Sequence, residues 1–232
     1  MKKLLAILLL ICSFTSCNEF TKSSEEKNAR EFIPDHDKNP VISTAETIAL
    51  KNGYLQWNEV DKIDFTFNVD RGDSHFERSW SWEPKTENVT KRSAKDTVSY
   101  NRSQMDSITR KIDASFINDK YWLLAPFNLA WDEGTTFSEE ENSVAPISKD
   151  TLRKLTVVYG NEGGYTPGDA YDFYFGKDYE IKEWVFRKGN DSVPSMINTW
   201  EDYETFKGIK IAKMHQDSTG NFKLYFTNIS VQ

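Results

Sequence analysis

Cysteine is nearly absent from the sequence. The chain has two cysteines, Cys12 and Cys17, and both lie close to its start. Because the rest of the chain has no thiol, we exclude a disulfide bridge, a cysteine nucleophile and a thiolate metal site there. Histidine is scarce too, and His36, His75 and His215 lie too far apart in sequence for an H-x-H or H-x-x-x-H metal motif. We therefore expect no metal ion and no cofactor.

Common signatures of catalysis are also missing. The sequence has no G-x-S-x-G, no Walker loop and no G-x-G-x-x-G, so neither a serine nucleophile nor a phosphate-binding turn is indicated. Its acidic segment DEGTTFSEEE, residues 132–141, lacks the ligand order of an EF-hand, and its composition favours a solvated loop over a calcium site. The sequence therefore gives no argument for catalysis, and we expect a protein that is not an enzyme.

Positive charge is in deficit. The chain has 29 Lys and Arg against 36 Asp and Glu, a net charge of −7. An acidic chain gains nothing from the phosphate attraction that drives nucleic-acid binding, so we expect no nucleic-acid partner. It also offers no basic patch to an anionic membrane surface. Any attachment to a membrane must then come from a lipid.

The apolar run at the start of the chain is short. It covers Leu4–Phe14, whereas a membrane-spanning helix needs about 20 apolar residues. Two lysines precede the run, and the small residues Thr15 and Ser16 follow it. A charged start, a short apolar core and small residues before a cleavage site are typical of a signal peptide, which we assign to residues 1–16.

The residue after this cleavage site is Cys17. The arrangement resembles the lipobox of bacterial lipoproteins, in which the cysteine becomes the acylated first residue of the mature chain. It departs from the usual pattern at Phe14, where Leu, Val or Ile is common. The resemblance implies that Cys17 carries palmitate or a similar acyl group and holds the protein at a membrane. The alternative is an ordinary secretory signal that is followed by a cysteine by chance.

The segment after the cysteine is polar and has no steady hydrophobic period. We expect residues 17–40 to be the lipidated cysteine and a flexible tether. The remaining residues, 41–232, are enough for one domain with a sizeable core. We predict a single domain over this range, in a protein that is a monomer.

The domain is rich in aromatic side chains, with seven Trp, ten Tyr and fifteen Phe. Strict alternation in IDFTFNVD and HFERSWSW predicts half-buried strands, and two more short strands follow, as in an antiparallel meander. Met105, Ile108, Ile112 and Phe116 recur at helical spacing. From Leu152 the strand pattern returns. The sequence therefore predicts an α+β fold in which a helical insert separates two groups of strands.

Arg78 is the unusual residue of the second strand, since it shares a face with Phe76, Trp80 and Trp82. A charge on an apolar face is unfavourable unless the face is partly exposed to solvent or a polar group interacts with the charge. One interpretation is an arginine of an edge strand whose head reaches solvent. The other is a polar group inside a ligand-binding hollow.

Three segments suggest a family. SWSWEPKTENVTKRSAKDTVSYN is similar to the early strands of the LolA/LolB lipoprotein carriers, and GIKIAKMHQDSTGNFKLYFTNISV is similar to their last hairpin. SFINDKYWLLAPFNLAWDEG resembles a group of Bacteroidota outer-membrane lipoproteins. The resemblance implies an antiparallel sheet that forms an unclosed half-barrel, with helices on its concave side and a hollow that holds acyl chains.

The resemblance and the aromatic face together give a functional hypothesis. We expect an outer-membrane lipoprotein, on the periplasmic side or the cell surface, that binds an acyl chain or a lipoprotein in this hollow. The alternative is a surface lipoprotein that binds carbohydrate or a protein partner and has no internal ligand. The candidate ligand-binding residues are Phe65, Phe67, Arg78, Trp80, Trp82, Ile108, Ile112 and Phe116.

Overall fold

The computed structural model describes residues 42–162 and 165–232. The predicted signal peptide, the predicted lipidation site Cys17 and the predicted tether up to residue 40 lie outside the described residues. Within the described part, no helix is both long enough and apolar enough to span a lipid bilayer.

The described part consists of antiparallel strands with two α-helices and three short 3₁₀ turns. The turns are Tyr54–Glu59, Arg102–Gln104 and Lys188–Asn190. In chain order the helices and strands are α1 (Thr44–Lys51), β1 (Ile63–Arg71), β2 (Ser74–Glu83), β3 (Asn88–Arg92), β4 (Thr97–Asn101), α2 (Ser107–Trp131), β5 (Thr135–Val144), β6 (Thr151–Tyr159), β7 (Ala170–Phe175), β8 (Ile181–Arg187), β9 (Met196–Thr199), β10 (Glu201–Phe206), β11 (Ile209–Gln216) and β12 (Phe222–Val231).

The strands form two sheets that share one bent stretch of chain. The larger sheet has the order β10-β11-β12-β1-β2-β3-β4, and the smaller has the order β5-β6-β7-β8-β9. Only Trp200 separates β9 from β10, so the chain passes from one sheet to the other within a single residue. The far edges, β4 and β5, do not pair with each other among the described residues. We call the two sheets together the wall. The wall is unclosed, and α2 connects its two free edges, β4 and β5.

Helix α2 lies on the concave side of this wall. Its residues 121–129 are all buried, and a helix that is buried all round belongs to the interior of a protein. The helix is kinked at Leu124, which has a φ of −127°. Pro126 follows two residues later, and a proline inside a helix clashes with the preceding turn. The predicted α+β half-barrel with helices on its concave side is thus confirmed.

One segment differs from the sequence-based expectation. The composition of residues 132–141 predicts a solvated acidic loop, but residues 135–141 belong to β5, an edge strand. Its glutamates face cations of the neighbouring strand: Glu139 and Glu141 contact Arg153, and Glu140 contacts Lys154. Acidic residues are rare inside sheets. On an edge strand, however, charge is tolerated and discourages pairing with other chains.

A close backbone approach fixes the position of the N-terminal helix. Gly53, just after α1, has a φ of +98°, and a Cβ there would lie 2.0 Å from the carbonyl oxygen of Gly208 in the β10–β11 turn. The Lys210 N–H also donates a hydrogen bond to the Asn52 carbonyl oxygen at 2.9 Å. The absence of a side chain at Gly53 therefore lets α1 lie against this hairpin.

We expect Gly53→Ala to lower the free energy of unfolding by at least about 3 kcal/mol, because the backbones must separate and the left-handed φ is strained. Gly72 is the matched control, since it has a φ of +54° and open space around it. Gly72→Ala should cost only about 1 kcal/mol. Urea unfolding, followed by tryptophan fluorescence, gives both values. Equal losses would show that the contact with Gly208 imposes no constraint.

Candidate functional site

The aromatic wall predicted from the sequence lies on the concave face and is covered by α2. Phe65, Phe67, Trp80, Trp82 and Phe116 are all buried. The Phe116 ring of α2 packs against Trp80 and Trp82 of β2, with centroids 5.3 and 5.5 Å apart. Five of the eight candidate residues are thus brought together. In this conformation the helix itself covers the wall.

The two isoleucines of the candidate set lie differently. Ile108 is in the first turn of α2 and is 68 % exposed. Ile112 is half-buried and packs against the border of the core. The apolar stripe seen in the sequence therefore follows the buried face only from Ile112 onward. Ile108 lies at the exposed start of the helix, just after its capping residue Asp106.

The eighth candidate, Arg78, points inward and binds α2. Its Nε and Nη2 atoms donate to the two carboxylate oxygens of Asp119, at 2.5 and 2.7 Å. The guanidinium also lies over the Phe67 and Phe76 rings, 5.5 and 5.2 Å from their centroids. Strand β2 lies between β1 and β3, but its pairing with β3 begins only at Ser79, one residue after Arg78. The side chain joins the sheet to the helix, a role for which neither sequence-based interpretation named a partner.

Asp119 is fully buried and accepts four hydrogen bonds. Besides the two from Arg78, the Trp80 indole N–H donates at 2.7 Å and the Asn118 amide at 3.0 Å. Burial raises the pKa of the Asp119 carboxyl, while the Arg78 guanidinium and these two donors act in the opposite direction. Sequence analysis missed Asp119, although an acid three residues after Phe116, on the buried side of a helix, is a signal for it.

A second buried carboxylate fastens the N-terminal half of α2. Asp113 accepts a hydrogen bond from the Tyr100 hydroxyl of β4 at 2.9 Å and from Arg102 Nε at 3.0 Å. Burial and the nearby Asp113 charge raise the pKa of the Tyr100 hydroxyl, so it stays a donor at neutral pH. Two carboxylates, one turn and a half apart, thus bind α2 to the larger sheet.

The opposite side of α2 is held by tyrosines. Tyr121 stacks on Tyr165 with ring centroids 3.8 Å apart, and the Tyr165 hydroxyl donates to Asn118 at 3.2 Å. The Tyr121 and Tyr159 hydroxyls lie 3.1 Å apart, and Tyr159 donates to Asp132 at 2.8 Å. The smaller sheet and its loop therefore hold α2 mainly through uncharged rings and hydroxyls.

His215 is a buried histidine at the junction of the two sheets. Its Nδ1 lies 3.2 Å from the Thr199 carbonyl oxygen, so Nδ1 carries the proton and Nε2 is an acceptor. Burial lowers the pKa of the imidazole to about 3. The ring packs between Trp122 and Trp200, at centroid distances of 5.3 and 4.5 Å. His215 is therefore a neutral part of the aromatic interior.

In residues 42–162 and 165–232, no three His, Cys, Asp or Glu side chains converge in a way that would hold a metal ion. Asp113 and Asp119 of α2 are instead engaged in fastening the helix to the larger sheet. This arrangement provides an apolar surface, a helix that covers it and the polar contacts that hold the helix in place.

We expect Asp119→Ala to lower the free energy of unfolding by about 3–5 kcal/mol, because it leaves the Arg78 guanidinium and the Trp80 N–H unpaired in the interior. Asp106→Ala is the matched control on the same helix. It removes the exposed N-cap of α2, which should cost about 1 kcal/mol. Chemical unfolding of both variants tests this. If the two losses are equal, the buried pair holds α2 no better than the cap does.

The pKa of His215 predicts a pH dependence. The folded-state pKa of about 3 lies below the ordinary value of about 6.5. The contribution of His215 to the free energy of unfolding is therefore largest above pH 6.5 and decreases as the pH falls toward 3. Between pH 6.5 and 5.0 the loss should be about 2 kcal/mol. His215→Phe should remove this part of the loss, whereas His75→Phe, at an exposed site, should not. Urea unfolding across this pH range measures how the free energy of unfolding depends on pH. A pH dependence that His215→Phe leaves unchanged would contradict the assignment.

No protein-family model matches the chain, and no curated protein matches it in sequence. Solved structures do match. A LolA superfamily protein from Nitrosomonas europaea has a TM-score of 0.51 at 9% identity, over 82% of this chain and 94% of that one. A DUF1329 family protein from Desulfovibrio piger has a TM-score of 0.46 at 10% identity, over 84% and 94% of the two chains.

A domain from Vibrio parahaemolyticus that is named for outer membrane lipoprotein sorting also has a TM-score of 0.46 at 10% identity, with 80% of this chain and 91% of that one covered. At such identities the likeness concerns the fold alone. The Nitrosomonas europaea protein carries the comparison, because its score is the highest of the three. Together with the unclosed sheet and the helix on its concave side, it shows that the chain has a LolA-like fold.

Proposed function

We propose that this protein is a non-enzymatic, lipid-anchored lipoprotein of the outer membrane that binds an acyl chain or a lipoprotein. The ligand would lie between the concave aromatic wall and α2. One observation supports the proposal. An apolar wall is covered by a single helix, α2, whose ends connect to the two edge strands β4 and β5.

The contacts of α2 suit a cover that can be exchanged. Apart from the hydrogen bonds at Asp113 and Asp119, and the weaker ones of Asn118 and Tyr121 to tyrosine hydroxyls, the helix contacts the wall through aromatic and aliphatic side chains. An acyl chain can replace such contacts because burial of apolar surface is non-directional and scales with area. When a ligand replaces the helix, the wall is covered in both states. The free-energy cost of displacing α2 therefore lies mainly in the loss of its hydrogen bonds and its ion pair.

The fold supports the same ligand class. The Nitrosomonas europaea neighbour is named as a LolA superfamily protein, and lipids and lipoproteins are the ligands that we infer from this likeness. The proposal is consistent with the burial of the wall, since an acyl-chain site must exclude water. The charged groups Arg78, Asp113 and Asp119 fasten the helix, and we assign them no catalytic role.

A second candidate follows from the same burial. If α2 stays in place permanently, the wall is an ordinary core, and the protein is a surface module that binds a partner through its outer face. A carbohydrate platform of the usual kind needs exposed, coplanar tryptophans. All seven tryptophans lie in the described part of the chain, and each is buried or half-buried. The second candidate is therefore a module for a protein partner.

The anchor can be tested by mutation of its cysteine. We expect Cys17→Ser to abolish incorporation of labelled palmitate and to move the protein from the membrane fraction to the soluble fraction. Cys12→Ser is the control, because Cys12 lies inside the predicted signal peptide and is absent from the mature chain. Mass spectrometry of the mature protein gives the same answer independently. Labelling that survives Cys17→Ser would refute the lipidation of this residue.

Ligand uptake can be tested by weakening one tie of α2. Tyr100→Phe removes the hydrogen bond to Asp113, worth about 1 kcal/mol. Because the binding-competent state then becomes more populated, the affinity for a fluorescent acylglycerol should rise about fivefold. Thr90→Ala is the matched control: Thr90 bonds Ser99 across β3 and β4 on an exposed face. It should leave the affinity unchanged.

The measurement is a fluorescence titration of the mature chain, with native mass spectrometry to detect lipid that co-purifies. If neither the wild type nor Tyr100→Phe takes up the acylglycerol, the internal-ligand proposal fails and the second candidate remains. Equal gains in Tyr100→Phe and Thr90→Ala would show that α2 does not control access.

A further inference from the structure

The wall beneath α2 contains a group of polar atoms that the fold leaves unpaired. Seven buried side-chain nitrogen or oxygen atoms have no hydrogen-bond partner among the described residues. Five of them belong to Trp184, Asn198, Trp200 and His215. These residues come from β8, β9, the β9–β10 junction and β11, which meet where the two sheets join. The concentration of unpaired atoms at one place needs an explanation.

The four side chains are contiguous on the concave face. Trp184 and Asn198 are opposite each other in the β8–β9 register, so their side chains share a face. Trp200 lies two residues after Asn198, and its ring is 5.3 Å from Trp184 and 4.5 Å from His215. All four residues are at most 2 % exposed. We call this group the junction cluster.

Helix α2 covers the junction cluster with Trp122 and Tyr121, and the Tyr121 ring stacks on Trp184 with centroids 5.9 Å apart. The Trp122 ring lies 4.4 Å from the Trp184 ring and 5.3 Å from the His215 ring, measured between centroids. Any ligand that displaces α2 from the wall would therefore reach the junction cluster in place of Trp122. The side chains of Trp184 and His215, which carry two of the unpaired atoms, line the part of the wall that Trp122 covers.

The chemistry of the junction cluster defines a complementary group. The indole N–H groups of Trp184 and Trp200 and the amide NH₂ of Asn198 are donors, whereas the amide oxygen of Asn198 and Nε2 of His215 are acceptors. None of the four side chains carries a charge at neutral pH, since burial keeps His215 neutral. The matching group has a carbonyl oxygen and a hydroxyl or N–H, and no charge.

We infer that Trp184, Asn198, Trp200 and His215 form a head-group subsite that selects acyl ligands with a neutral, hydroxyl-bearing ester or an amide head over free fatty acids. The inference rests on the proposed function, because it assumes that an acyl chain occupies the wall. A carboxylate head would bring a charge to a buried, uncharged surface, which is unfavourable without a paired cation.

The test compares two ligands with the same chain, monooleoylglycerol and oleate, below their critical micelle concentrations. Displacement of a fluorescent acyl probe from the mature protein gives both affinities. The wild type should prefer monooleoylglycerol by about tenfold, the scale of one or two buried hydrogen bonds. Asn198→Leu should abolish this preference through weaker binding of monooleoylglycerol, and the affinity for oleate should change less than twofold.

Stability provides the readout that separates recognition from structure. If the Asn198 amide is unpaired in the free protein, Asn198→Leu should leave the urea midpoint unchanged or raise it. Trp200→Phe removes one indole N–H but keeps an aromatic ring, and it should also reduce the ratio of the two affinities. A lower midpoint together with equal loss of both ligands would show that Asn198 is structural and would overturn the subsite.

The outcomes also separate this inference from the proposed function. If the wild type binds neither ligand, the internal acyl site itself is wrong. If it binds oleate as tightly as monooleoylglycerol, and Asn198→Leu changes neither, the acyl site stands and the head-group subsite is refuted.

Discussion

The buried pair of Arg78 and Asp119 is the constraint on which the position of α2 depends. Its carboxylate is fully enclosed and accepts four hydrogen bonds from the sheet and from its own helix. A buried ion pair adds little net stability compared with apolar side chains of similar size, but loss of one partner is costly. Its contribution is geometric: a bidentate guanidinium–carboxylate contact has one orientation, whereas the aromatic contacts around it would tolerate a rotation or a slide of the helix. The kink near Pro126 and the tyrosines on the opposite side provide further constraints on the same position of α2.

Much of the fold could be predicted from the sequence, because strands with strict alternation carry their own signal. β1 and β2 show it through Ile63, Phe65, Phe67, Trp80 and Trp82, whose side chains face the core as predicted. β5 could not be recognised, since its glutamates have low strand propensity and are compensated only by cations on β6. The partners of Arg78 and Tyr100 lie more than ten residues away on α2, and no local pattern announces such pairs. The junction cluster could not be predicted from the sequence for the same reason. Its members come from separate strands, and only the sheet register brings them together.

The aromatic surplus has a double meaning in this structure. From composition alone it indicated either a filled core or the lining of a hollow. In the structure most of the aromatic residues form one continuous core that includes α2. Under the proposed function, the same residues form the core when the helix is docked and line the ligand site when it is displaced. Burial and ligand binding would then be alternative uses of one surface, and exposure alone would not identify the site.

The connection of α2 to both free edges has a kinetic consequence. The helix ends at Trp131 and β5 begins at Thr135, while β4 ends at Asn101 and α2 begins at Ser107. Such short connections keep a displaced helix within a few residues' reach of the wall, so its local concentration stays high and constant. Under the proposed function, the helix would compete with every ligand of the wall, at a strength that dilution of the protein cannot change. Its return to the wall would then favour release of the ligand.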